Sequence, residues 1–153
     1  MKTPPGPTGK WATFFLAGEM FGLAVEDVQE VLMDQPLWPV PLAPDHIAGL
    51  LHLRGEILPA IDLRRRLLFP PRPLSGPGSA RKLLVLAGSA LSLVVDEIAD
   101  VLELPTAGWE PPPDTLSPEQ RSFLSGICPI EGRVVLGLRP EALTSELGEV
   151  QNG

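Results

Sequence analysis

Short apolar runs separated by glycine-containing turns dominate the pattern along the chain. Residues 14–17 and 20–25 are two such runs, with Gly18 between them. Residues 83–87 and 90–95 repeat the arrangement. Apolar-rich runs of this length on either side of a tight turn are typical of a β-hairpin. The pattern therefore predicts two hairpins built from short strands.

The two hairpin regions belong to an internal repeat. Residues 11–32 and 81–102 share seven identical residues at an offset of 70, including the tripeptide Leu-Ala-Gly. Three acidic positions also correspond, because Glu26, Asp27 and Glu30 align with acidic residues of the second copy. A repeat of this kind indicates two similar structural units in one chain.

Each copy continues with a second hairpin, now at an offset of 77. Residues 49–61 read GLLHLRGEILPAI and residues 126–138 read GICPIEGRVVLGL, with Gly55 and Gly132 marking the turns. Between the two hairpins of the first copy lies the apolar trio Val28, Val31 and Leu32, which follows an acidic turn. This segment is either a third strand or a short helical turn leading into one, and its length does not separate the two.

Four or five short strands per copy leave little room for helix, so the sequence predicts an all-β fold. Two similar small β-barrels are favoured, because closure removes the exposed edges of a short open sheet. We expect a single domain over residues 11–147, with the first barrel mainly in 11–69 and the second mainly in 80–138. Residues 1–10 are expected to be a disordered N-terminus and 148–153 a tail.

Helix is expected in two places only. One lies near residues 118–123, where Ser117 is the candidate N-cap, and the other over 140–147, packing back on the barrels. Residues 70–78 are rich in proline and glycine and connect the two copies. The same composition also suits a flexible linker between independently moving domains, and this alternative stays open.

Charge and hydropathy narrow the classes of partner. The formal net charge of −7 leaves no basic field for nucleic-acid phosphates, so no nucleic-acid partner is expected. The longest apolar run, residues 83–95, is too short to cross a bilayer, which argues against direct membrane insertion. The single cysteine, Cys128, is compatible with a reducing compartment, and we expect a cytoplasmic protein.

Few residues of the sequence are candidates for catalysis or metal binding. His46 and His52 are the only histidines, and no further ligands cluster with them, so neither a metal site nor a cofactor is expected. Cys128 lies between Ile127 and Pro129 in an apolar segment, which suits an inert buried thiol. The basic trio 64–66 is typical of a solvated surface. We expect no catalytic residue and no enzyme activity.

The motifs together resemble those of the CheW-like family. FGLAVEDVQEVL is followed by a proline-rich loop and by GLLHLRGEILPAIDLR, residues 49–64; LVVDEIADVL and GRVVLGLRPEAL follow in the second copy. The match is specific because of its order and extent, which cover nearly all of residues 11–147. The resemblance implies two five-stranded barrels packed together.

The resemblance also implies a function. CheW-like proteins are adaptors that bind the cytoplasmic tip of methyl-accepting chemoreceptors and the regulatory domain of a CheA-type histidine kinase. It implies that this chain couples the two in bacterial chemosensory signal transduction, recruited to membrane receptor arrays. An accessory relative that binds receptors but not the kinase is the alternative; His52, Gly137 and Arg139 depart from the family pattern and could mark one. An enzyme or an unrelated binding barrel would instead require a pocket of convergent polar groups.

The resemblance places receptor contacts at Val28, Glu30 and Arg54. For Arg54 the alternative is a side chain whose stem packs on its own barrel; for Val28 and Glu30 it is a core valine and a solvated carboxylate. Gly55 is expected to supply the positive φ of a hairpin turn. Asp62 is expected to cap the local structure through Arg66.

Overall fold

Ten strands contain about half of the residues in the computed structural model, which describes residues 9–33, 35–71 and 82–144. The helices are α1 (Leu63–Arg66), α2 (Pro118–Ser122) and α3, of which residues 140–144 are described. In chain order the strands are β1 (Lys10–Leu16), β2 (Glu19–Ala24), β3 (Val28–Leu32), β4 (Ile47–Leu53), β5 (Glu56–Asp62), β6 (Lys82–Leu86), β7 (Ser92–Val95), β8 (Glu97–Glu103), β9 (Leu124–Ile130) and β10 (Arg133–Leu138).

The strands form two five-stranded sheets of the same design. The first sheet has the order β8-β1-β2-β10-β9 and the second the order β3-β6-β7-β5-β4. Strands β1 to β5 of the first copy correspond, in chain order, to β6 to β10 of the second. When each strand is replaced by its counterpart, the order of one sheet becomes the order of the other. The all-β class is confirmed, and the four predicted hairpins are β1–β2, β4–β5, β6–β7 and β9–β10. The segment left open between strand and helical turn is strand β3, entered through the 3₁₀ turn Val25–Asp27.

The two copies of the repeat do not each build their own sheet. The first sheet takes β1 and β2 from the first copy and the rest from the second, whereas the second sheet takes β3 to β5 from the first copy. The expected division into barrels at 11–69 and 80–138 is therefore wrong. The reason is that parallel pairs join hairpins from different copies: Met20 pairs with Val135 in β2–β10, and Ala60 pairs with Ser92 in β5–β7.

Strand alternation explains how the core is divided. On β6, Leu84 and Leu86 belong to the largest apolar cluster, which lies between the sheets, while Leu83 and Val85 belong to a smaller cluster of the second sheet. Successive side chains of a strand point to opposite faces, so one strand serves both clusters. The first sheet has its own small cluster around Trp11. Each sheet thus packs on its partner and also encloses apolar side chains of its own.

Gly137, one of the departures from the family pattern, has a packing explanation. A Cβ atom at this position would lie 2.7 Å from Ser125 Oγ and 3.0 Å from Trp109 Cζ3. Trp109 in turn packs on Trp11, with 4.9 Å between ring centroids. The glycine therefore makes room for the tryptophan pair that covers the small cluster of the first sheet.

Helix α1 was not expected, and its arginines correct the interpretation of the basic trio. Arg64 forms an ion pair with Asp96, with Nη2 2.8 Å from Oδ2, and the two side chains are only 18% and 13% exposed. The guanidinium of Arg66 lies 4.6 Å from the ring centroid of Phe123. Only Arg65 is exposed, as a solvated surface would require. Asp62 N-caps α1 by accepting from the backbone N–H of Arg65, so its carboxylate has the local structural role that the sequence predicts.

The remaining helix and terminus predictions have mixed outcomes. Ser117 N-caps α2 in a reciprocal capping box with Gln120, as the sequence predicts. Strand β1 begins at Lys10, so the expected disorder of residues 1–10 is wrong at its last residue. Residues 1–8, 72–78 of the connector, 145–147 of the expected helix and the tail 148–153 lie outside the described residues.

Candidate functional site

Two of the predicted receptor-contact residues lie side by side. The Arg54 guanidinium donates to both carboxylate oxygens of Glu30, from Nη1 to Oε1 at 2.7 Å and from Nη2 to Oε2 at 3.1 Å. Arg54 is 67% exposed and Glu30 is 21% exposed. This is the two-pronged geometry that a planar guanidinium makes with a carboxylate. The hydrogen bonds to Glu30, and then its charge, raise the pKa of Arg54.

The backbone holds Arg54 in a conformation that long side chains rarely adopt. Arg54 has φ of 49° and Gly55 has φ of 82°, so the β4–β5 turn has two consecutive left-handed residues, as a type I′ turn requires. Glycine and asparagine are the usual residues at the first of these positions. Ala17 and Gly18 form a similar turn with a small residue in that place. The repeat counterpart of Arg54, Glu131, is not left-handed. An arginine kept at a strained position suggests a use for its guanidinium.

The Arg54–Glu30 pair connects opposite edges of the second sheet. Glu30 lies on β3, an outer strand, and Arg54 lies on the turn that leads from the other outer strand, β4, into β5. The second sheet is therefore strongly curved, and its small apolar cluster lies on the concave side. A shallow cavity of about 180 Å³ opens beside the pair, lined by residues that include Arg54, Gln29 and Leu58.

Val28, the third predicted contact residue, faces elsewhere. It is half-buried and packs against the cluster between the sheets, so it anchors the start of β3. The apolar side chains that this region exposes are Val31 at 41% and Met33 at 50%. A register shift between Val28 and Glu30 interrupts the alternation of β3. The two residues pair with successive residues of β6 and therefore lie on opposite faces of the sheet.

An exposed aromatic and apolar patch extends along the outer face of the β4–β5 hairpin. Trp38 is 56% exposed, and its ring centroid lies 5.3 Å from that of His52. Ile57, 58% exposed, is the cross-strand partner of His52. Trp38 is tied to this face because its backbone forms a bridge with Leu50. Sequence reasoning missed Trp38 and Ile57; the alternation of β5 was the available signal for Ile57.

One open cleft in the described part of the chain contains none of the predicted site residues. It has a volume of about 1020 Å³ and lies on the first sheet beside Trp109. Its two arginines form ion pairs, Arg121 with Asp114 at 3.2 Å and Arg139 with Glu141 at 3.1 Å. Each guanidinium in the cleft is therefore already paired with a carboxylate.

The side chains that could perform chemistry are dispersed. Among residues 9–33, 35–71 and 82–144, no three of His, Cys, Asp and Glu are grouped so as to hold a metal ion. Cys128 is 1% exposed in the small cluster of the first sheet, and burial raises the pKa of its thiol, which disfavours the reactive thiolate. None of the described helices is long and apolar enough to span a membrane.

Comparisons with known proteins agree on one family. The CheW-like domain family profile matches residues 10–148. The chain is 30% identical over 125 residues to the chemotaxis protein CheW of Rhizobium meliloti, covering 80% of this chain and 78% of that protein. It is 30% identical over 136 residues to a probable chemotaxis protein CheW of Rhizobium etli, covering 87% and 85%.

A solved structure gives the same result. The crystal structure of the scaffolding protein TtCheW from Thermoanaerobacter tengcongensis superposes with a TM-score of 0.76 at 28% identity, covering 94% of each chain. At this coverage the similarity extends over both sheets.

Proposed function

This chain belongs to the CheW-like family, and from that membership we propose that it is a non-catalytic adaptor coupling chemoreceptors to a CheA-type histidine kinase. The observation that carries the proposal is the family match over residues 10–148, which includes all ten strands. The scaffolding role named for the similar solved structure supports it. The protein acts in the cytoplasm and is recruited to membrane receptor arrays through its partners.

The receptor side of the proposal rests on the second sheet. The cytoplasmic tip of a chemoreceptor docks near Arg54 and Glu30, with Val28 holding β3 in place. The exposed Val31 supplies apolar contact beside the charged pair. An amphipathic helix that presents apolar and charged side chains on one face fits such a surface. On this account Gly55 and Asp62 have structural roles, one in the turn and one at the start of α1.

The kinase side of the proposal uses other surfaces. The regulatory domain of the kinase binds through contacts between five-stranded units and leaves the surface around Arg54 and Glu30 free for the receptor. This division of surfaces follows from the family resemblance, and the presence of two similar sheets in one chain supports it. Two partners can then bind the same molecule at once, as a coupling function requires.

An accessory relative that binds only receptors is the second candidate. The observation that favours it is the Trp38–His52 patch, since His52 is one of the departures from the family pattern. A change in the surface that contacts the kinase would abolish kinase binding and leave receptor binding intact. The two candidates differ only in whether the kinase regulatory domain binds.

Separate titrations of the purified protein decide between them. We expect saturable one-to-one binding by calorimetry both to a receptor-tip fragment and to the kinase regulatory domain. Binding to the receptor fragment alone identifies the accessory protein. Binding to neither fragment, with the chain folded by circular dichroism, contradicts the adaptor function.

A further inference from the structure

The cavity of about 180 Å³ beside Arg54 combines an apolar and a polar lining. Two of its lining residues, Leu58 and Val85, belong to the small apolar cluster of the second sheet and are 5% and 1% exposed. The side chains of Gln29 and Ser89 line the cavity together with Arg54. Apolar walls with a few convergent polar groups are typical of a binding site.

The polar side chains of this cavity have unused hydrogen-bond donors. Glu30 accepts from Nη1 and Nη2 of Arg54, the two nitrogens at the end of the guanidinium. The Nε–H and the remaining hydrogen of Nη2 form a second edge with two parallel donors. Within the described residues this edge has no acceptor, and the Gln29 amide and the Ser89 hydroxyl have no hydrogen-bond partner either. The cavity therefore suits a ligand that accepts hydrogen bonds.

Arg64 shows in the same molecule what such a guanidinium edge binds. Its Nε donates to Oδ1 of Asp96 at 3.1 Å and its Nη2 donates to Oδ2 at 2.8 Å. The free edge of Arg54 consists of the same two nitrogens. Because Glu30 anchors the end of the guanidinium and the turn fixes the backbone at φ of 49°, this edge is restrained before any ligand arrives. Such preorganisation lowers the entropic cost of binding.

The acidic residues around Arg54 oppose a further carboxylate. Glu30 already neutralises the guanidinium, and Glu56, which is exposed, also lines the cavity. Solvent and salt screen the repulsion between exposed charges, whereas the hydrogen bonds from a charged guanidinium to a carboxylate are short and direct. The two donors of the free edge therefore outweigh the repulsion from Glu56.

We propose that this cavity is a subsite for the carboxylate of a glutamate side chain on the receptor tip. The free edge of Arg54 binds the carboxylate, Gln29 and Ser89 donate to it, and Leu58 and Val85 contact its methylene stem. The inference rests on the proposed receptor-binding function and adds the chemical class of the contact. It also adds Gln29 and Ser89 to the residues that contact the receptor.

An NMR titration with propionate tests the subsite without any receptor. Propionate has the carboxylate and the stem of a glutamate side chain, and propionamide is the matched neutral control. We expect saturable shift changes at the Arg54 Nε–H and the Gln29 side-chain amide with propionate only. The change at Gln29 should vanish in Arg54→Lys, which keeps the charge and loses the planar edge. No saturable change with propionate, or an equal change with propionamide, would overturn the proposal.

Calorimetric titration of the receptor-tip fragment tests the assignment of the partner. Ser89→Ala should weaken binding about tenfold, the effect of losing one hydrogen bond to a charged group. Glu56→Gln should strengthen binding about two- to fivefold, because it removes a repelling charge at an exposed position. A neutral ligand group would not respond to Glu56→Gln in this way. Arg133→Lys, in the corresponding hairpin of the first sheet, is the control and should leave the affinity unchanged.

Substitutions in the fragment identify the contacting acid. Each acidic residue of the fragment is changed in turn to its amide, and one of these changes should weaken binding to the native chain. Ser89→Ala should then cause little further loss, because both changes break the same contact.

The propionate and fragment titrations also separate this inference from the adaptor function. If propionate binds but the fragment does not bind the native chain, the receptor is not a partner. If the fragment binds the native chain, Ser89→Ala and Glu56→Gln equally well, the adaptor function stands and the carboxylate contact is wrong.

Discussion

Substituting Arg54 with alanine should weaken receptor-tip binding roughly 10- to 150-fold, the range expected for losing charge-assisted hydrogen bonds. Arg54 is largely exposed, and among the described residues its guanidinium pairs with Glu30 alone, so its removal takes no side chain out of the core. The protein should stay folded. Calorimetric titration against the receptor fragment and thermal unfolding of the same sample measure the two effects.

A second substitution at this position separates function from stability. Asparagine tolerates the left-handed φ of 49° better than arginine does, so Arg54→Asn should unfold at the same temperature as the native chain or higher. Its receptor binding should nevertheless fall as in Arg54→Ala. Arg133→Ala is the matched control, because Arg133 follows the turn glycine of the corresponding hairpin in the first sheet. An unchanged receptor affinity in folded Arg54→Asn removes Arg54 from the site.

Asp96→Ala should lower the free energy of unfolding by about 2–4 kcal/mol, the scale for breaking a largely buried ion pair by removing one partner. The substitution leaves the Arg64 guanidinium, 18% exposed, without its counter-charge, and leaves the N–H of Ala17 without its acceptor. Chemical denaturation followed by circular dichroism measures the loss.

An exposed pair provides the comparison for Asp96. Lys82 and Glu97 lie 3.6 Å apart, and the Glu97 side chain is 61% exposed. Lys82→Ala should change stability by no more than about 1 kcal/mol, because exposed ion pairs contribute little. Equal losses in Asp96→Ala and Lys82→Ala would mean that the Arg64–Asp96 contact does not hold the sheets together.

Local features of the fold could be predicted from the sequence because each depends on neighbours in the chain. The four hairpins follow from apolar runs around turn glycines, and the N-cap of α2 follows from Ser117 with Gln120 three residues later. The assignment of strands to sheets does not follow. The parallel pair of Met20 with Val135 joins segments far apart in the chain, and alternation reports only that a face is apolar, not which strand lies beside it.

For the candidate site, too, single residues could be predicted from the sequence, but the contacts between distant residues could not. Arg54 and Glu30 could be chosen individually from the sequence. Their ion pair, however, depends on the curvature of the second sheet, which brings β3 close to the β4–β5 turn. Val28 was chosen as a receptor contact and is half-buried, because the register shift between Val28 and Glu30 turns Val28 toward the cluster between the sheets. Arg64 could not be told from its two neighbours, since its burial depends on Asp96, which is distant in sequence.

The central claim, that one molecule couples two partners, is tested most directly by adding a receptor-tip fragment to a preformed complex with the kinase regulatory domain. Sedimentation velocity follows the size of the complex. Coupling predicts a faster-sedimenting species that contains all three proteins, with the kinase domain retained at saturating receptor fragment. Release of one kinase domain for every receptor fragment bound would show that the two compete for one site and would contradict the adaptor function.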